Sequence, residues 1–168
     1  MYYRIFLVVA IAAFFTACNQ QPSERRHFSK EEMAARIDSL KGVLLKTDLE
    51  FSKMSESNGR NAAFLAYADS DVTLLRPYSM PVSGKNTLEK LLAEHPDSAF
   101  TLSWIPIKAD ISRAGDLGYT FGTYQLKDKK GKKGEGTYCT VWRRSRNGDW
   151  KFVMDTGNEG LKPEDQEK

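Results

Sequence analysis

Asp48 is the first residue in this chain whose type and position suggest chemistry. It lies four residues after Leu44 and three before Phe51, at the border of an apolar stripe with a helical period of about 3.6 residues. A carboxylate there either projects into a cavity as a polar anchor or general base, or bonds neighbouring backbone or faces water. A second acid, Asp155, stands near the end of the last predicted strand, three residues before Asn158. On a regular strand Asp155 shares a face with Lys151 and Val153, and Lys151 belongs outside. Either a bulge turns Asp155 inward or it is a surface residue.

The chain carries no other recognisable reactive constellation. His27 and His95 have no metal-ligand spacing with each other or with cysteine. Catalytic triads and phosphate-binding glycine loops are missing from the sequence. We therefore expect no metal and no cofactor. Cys139 falls inside a predicted strand and reads as a small buried residue. The net charge is +3, with Lys127, Lys129, Lys130, Lys132 and Lys133 clustered. That cluster reads either as a patch for anionic surfaces or as a solvated hairpin tip, and no nucleic-acid motif accompanies it.

Residues 1–17 read as a leader. Tyr2-Tyr3-Arg4 precedes an apolar run from Ile5 to Phe15 that is short for a membrane span. Phe15-Thr16-Ala17-Cys18 resembles the lipobox of bacterial lipoproteins, with Phe15 where leucine is usual. The alternatives are an ordinary cleaved signal peptide or an uncleaved anchor. With Cys18 lipidated, the mature chain is a membrane-anchored lipoprotein of the cell envelope, and Cys139 has no disulfide partner. Residues 18–28 form a polar tether, 29–158 the domain and 159–168 a polar tail.

The chain has 168 residues, 40% of them hydrophobic and 28% charged, which suits one mid-sized domain plus short extensions. Ser29 and Glu32 make a capping-box signature. Ile37, Leu40, Leu44, Thr47, Phe51 and Met54 continue it as a helix of about 25 residues ending near Asn58-Gly59. A short helix over 61–68, a strand over 72–76, a hairpin arm over 78–83 and a helix over 85–94 follow. Four long strands come next: 99–113, bent near Pro106; one opening at Gly115-Asp116; 135–144; and 150–158 after the Asn147-Gly148 turn. Within the second of these, Leu117, Tyr119, Phe121 and Thr123 make a bulky face. Gly118, Thr120, Gly122 and Tyr124 make the other, nearly bare at its glycines, which admits a helix, a bend or a ligand. The order implies an α+β fold: a cone-shaped, strongly curved, mixed or antiparallel sheet wrapped around the long N-terminal helix.

Four segments carry a resemblance to the nuclear transport factor 2-like superfamily, in particular its SnoaL-like members of undefined function. They are residues 48–51, 64–77, 115–122, and 140–144 with 148–155. The resemblance implies a cone with an open cavity and spans about Ile37 to Asn158. Such folds host isomerases, hydrolases and non-catalytic binders. The polar and aromatic groups available to such a cavity make a candidate ligand pocket of Phe51, Tyr67, Arg76, Trp104, Tyr119, Tyr124 and Asn158, with Asp48 and Asp155 as candidate catalytic acids. The function expected first is binding of a small, largely apolar ligand without a defined reaction. An isomerase- or hydrolase-type enzyme with a cavity carboxylate as general base is the alternative. A dimer formed through the sheet face is a third.

Overall fold

The long helix starts where the capping box places it. The Ser29 hydroxyl accepts from the Glu32 amide while the Glu32 carboxylate accepts from the Ser29 amide. The computed structural model describes residues 28–97, 100–131 and 133–160; the leader, Cys18 and most of the predicted tether and tail lie outside them. Helix α1 (Lys30–Asn58) is followed by α2 (Arg60–Tyr67), β1 (Ala68–Leu75), the two-residue β2 (Val82–Ser83) and α3 (Lys85–Glu94). Strands β3 (Phe100–Ile111), β4 (Leu117–Asp128), β5 (Lys133–Arg144) and β6 (Trp150–Glu159) complete the chain. The last strand thus runs one residue into the predicted tail.

One six-stranded sheet has the order β2-β1-β6-β5-β4-β3. The four long strands form an antiparallel meander, and β1 joins β6 in parallel. Register shifts interrupt three of the pairings, β1 with β6 between Ala68 and Thr73 among them, and two are single-residue bulges. In β3, Pro106 faces Gly122 and Lys108 faces Phe121, which leaves Ile107 as the extra residue. In β6, Trp142 faces Phe152 and Val141 faces Met154, which leaves Val153 unpaired.

The bare strip of β4 receives the helix. A β-carbon on Gly118 would come within 2.8 Å of Leu44 Cδ2, and one on Gly122 within 2.0 Å of the Ile105 carbonyl oxygen. Side chains at these two positions would push the helix off the sheet and the strands apart. Phe51 is the hub of the core. Its ring lies 4.6 Å from Trp104, 5.1 Å from Phe64 and 5.5 Å from Phe152.

The buried face of α1 departs from the predicted stripe. Leu40, Leu44 and Phe51 are buried, but Asp48, Ser52 and Ser55 lie buried beside them. Ser52 Oγ donates to the Trp104 carbonyl and accepts from the Trp104 amide, while Ser55 Oγ donates to the Leu102 carbonyl. Farther along, Lys41 Nζ meets Asp110 at 3.0 Å. The helix therefore runs along β3 and satisfies backbone groups that an edge strand leaves open.

Candidate functional site

Between α1, α2 and the concave side of the sheet lies an open cavity of about 390 Å³, within the roughly 300–1,000 Å³ usual for small-molecule sites. Its walls are mainly aromatic and aliphatic, with Phe51, Phe64, Leu102 and Trp104 among them. Tyr138, Thr140 and Asp155 bring polar atoms to its surface, and Arg60, Arg76 and Glu159 bring charge.

Asp155 reaches this cavity because of the β6 bulge. The extra residue at Val153 reverses the alternation, so Lys151 stays on the outer side and Asp155 pairs with Thr140 on the inner. Thr140 Oγ1 donates to Asp155 Oδ1 at 2.5 Å. Burial pushes the Asp155 carboxyl up to about 7, against the lowering effect of the Thr140 hydroxyl; the nearby Asp48 carboxyl adds to the rise.

Asp48 lies behind the cavity wall. It is fully buried and does not line the cavity. Trp104 Nε1 donates to its Oδ1 at 2.7 Å and the Tyr138 hydroxyl to its Oδ2 at 2.7 Å. The Thr120 hydroxyl, itself accepting from Trp142 Nε1, gives it a third bond. Burial raises its carboxyl above the usual range, and these donors oppose the rise. Burial, together with the Asp48 carboxyl, also raises the Tyr138 phenol far above the ordinary tyrosine range.

Of the other candidates, Phe51, Trp104, Tyr124 and Arg76 line the cavity. Three do not. Tyr119 sits on the outer, partly exposed face of β4, because the inner face of that strand is the one carrying Gly118, Thr120 and Gly122. Asn158 pairs with Thr137 on the outer face and is exposed, since β6 turns Asp155 and Gly157 inward. Tyr67 stacks on Phe51 at 4.8 Å without lining the cavity, and the Lys151 ammonium lies over its ring at 5.9 Å.

The sequence reading missed Tyr138, Thr140 and Arg60. The first two follow from register: pairing β5 with β4 across the lysine-rich turn sets Tyr138 opposite Gly122 and Thr140 opposite Thr120. The ring of Tyr138 occupies space that Gly122 leaves open, since a β-carbon there would lie 2.9 Å from Tyr138 Cε1. Among the described residues no cluster of three or more His, Cys, Asp or Glu could hold a metal. No helix among them is long and apolar enough to cross a membrane. Cys139 is half-buried on the outer side, its thiol pushed up by burial and by Asp155.

This architecture is the nuclear transport factor 2-like, cystatin-like fold. A ketosteroid isomerase-like protein from Erwinia carotovora atroseptica superposes with a TM-score of 0.58 at 12% identity, over 71% of this chain and 96% of its own. A nuclear transport factor 2-like protein with a cystatin-like fold from Novosphingobium aromaticivorans gives 0.56 at 13%, over 77% and 88%. A protein from Catenulispora acidiphila, solved in complex with S-DNPA, gives 0.56 at 11%, over 74% and 94%. No family model matches the sequence, and no curated protein matches it. At such identities the likeness concerns the fold alone.

Proposed function

We propose that this chain is a lipid-anchored domain of the cell envelope that holds a small, largely apolar ligand in its cone, with Asp155 as the fixed polar contact. The observation that carries this reading is a mostly apolar cavity lined by the Asp155 carboxyl, which Thr140 holds in place. Binding rather than turnover is favoured because nearby donors are already engaged. Trp104 and Tyr138 donate to Asp48 and Thr140 to Asp155, so none of these three is left to stabilise a developing oxyanion. That a similarly folded Catenulispora protein was solved in complex with S-DNPA agrees with it.

A panel of small apolar amines, alcohols and acids tests the proposal through the melting temperature, because a ligand that binds only the native state raises it. At least one probe is expected to raise Tm with increasing concentration. A panel that leaves Tm unmoved removes the binding reading. The elevated carboxyl of Asp155 favours a second reading, an isomerase- or hydrolase-type enzyme with Asp155 as general base. Under that reading a panel compound is chemically altered after incubation, and Asp155→Asn abolishes the change.

The anchor rests on the leader alone. Cys18→Ala is expected to move the protein from the membrane to the soluble fraction and to stop incorporation of labelled fatty acid. Retention of both in the variant contradicts lipidation.

A third reading, self-association, is favoured by the outer sheet face, where Ile105, Leu117, Tyr119 and Phe121 are exposed. Phe121→Arg is then expected to halve the mass seen by sedimentation equilibrium. A wild type that sediments as a monomer excludes the dimer.

A further inference from the structure

We infer that the ligand of the cone carries a protonated amine, with its ammonium donating to Asp155 and resting against the aromatic wall formed by Trp104, Tyr124 and Tyr138. This deepens the binding reading above and rests on it.

The argument is one of complementarity. Around the inner end of the cavity the Trp104, Tyr138 and Thr140 donors all point to carboxylates. What lines the cavity beside the ligand is an acceptor, Asp155, and the aromatic side chains of Trp104, Tyr124 and Tyr138, whose electron density attracts a cation placed over a ring. Thr156 also lines the cavity, although its pairing with Cys139 puts its side chain in register with the outer face, and Tyr124 lies near Glu159. Asp48 behind the wall and Glu159 on the same strand as Asp155 add negative potential.

Two cationic groups, Arg60 and Arg76, line the same cavity, but among the described residues neither forms an ion pair with Asp155. Arg60 is engaged by Asp97 at 3.5 Å, by Asn61 and by the His95 carbonyl, and lies 4.9 Å over Phe100. Arg76 is exposed beyond the end of β1. An anionic head group would be drawn to these arginines and repelled by Asp155. An ammonium would relieve a half-buried carboxylate that no cation among the described residues pairs with, and a charge-assisted bond of that kind is the strong sort.

Phenethylamine, phenethyl alcohol and phenylacetate share one apolar body and differ in head group. Calorimetric titration of the full chain in detergent at pH 8 should find the amine about 10-fold or more tighter than the alcohol. In Asp155→Asn, checked for native circular dichroism, the ratio should fall to about 1. A second readout needs no variant. The groups that interact with Asp155 are Asp48 from α1 and Tyr138, Cys139 and Thr140 from β5, while Arg60 from α2, Arg76 from β1 and Glu159 on its own strand line the same cavity. Because Asp155 holds its proton up to about pH 7, ammonium binding must expel that proton at lower pH. Amine affinity should weaken on acidification below that point, while alcohol affinity should not.

Equal affinity for amine and alcohol overturns this inference and leaves the binding reading standing. Tightest binding of phenylacetate overturns it too and directs attention to Arg76 and Arg60. Failure of all three probes overturns both readings together.

Discussion

Asp48→Ala should lower the unfolding free energy by about 3–5 kcal/mol. It strands the Trp104 indole N–H and the Tyr138 hydroxyl in a dry interior, each orphaned donor costing about 1–3 kcal/mol. Domains of this size have only about 5–15 kcal/mol in total, so the loss is a substantial share of the stability. The check is the denaturant midpoint by circular dichroism at constant slope. Tyr138→Phe should cost less in the Asp48→Ala background than in the wild type, because the acceptor it loses is already gone. A loss under about 1 kcal/mol for Asp48→Ala would show that water replaces the carboxyl without penalty, and this view of the wall would fail.

The second large effect is a slope of stability against pH. The Asp155 carboxyl rises from its ordinary 3.8 to about 7 in the folded chain. A carboxyl raised by folding binds its proton more tightly in the native state, so its stabilising contribution is complete below the unfolded value. As pH climbs from about 4 to about 7 the unfolded chain ionises first. Stability therefore falls by up to about 1.4 kcal/mol per pH unit and levels off above pH 7. Asp48, also raised, contributes a slope of the same sign. The difference between wild type and Asp155→Asn isolates Asp155: the variant should lose the steepest part of the fall between pH 5 and 7. Parallel curves for the two proteins would mean that Asp155 is not held in the apolar setting described.

How much of this was legible beforehand differs between fold and site. The architecture could be read because its devices are local. Ser29 and Glu32 mark a helix start, Asn147-Gly148 a tight turn, and the Gly118/Gly122 strip a close approach. The site depends on events with no local signature. The bulge at Val153 decides which way Asp155 points, and nothing in Phe152-Val153-Met154 announces it. Asp48, Ser52 and Ser55 interrupt the apolar period of α1, so pattern reasoning puts them at the edge. They are tolerated inside only because Trp104, Tyr138 and the β3 backbone supply partners for them. Tyr119 and Asn158 fell on the wrong side for a related reason: residue type suggested them, while strand pairing decided otherwise.

The serine contacts along β3 also bear on how copies of this domain can meet. Sheets polymerise most readily by adding strands at a free border, and this one has two borders. One is β3, lined by the chain's own first helix; the other is β2, only two residues long. Neither offers a long template for a neighbouring strand. Fibrillar growth is thereby discouraged, and face-to-face contact is left as the open geometry for association.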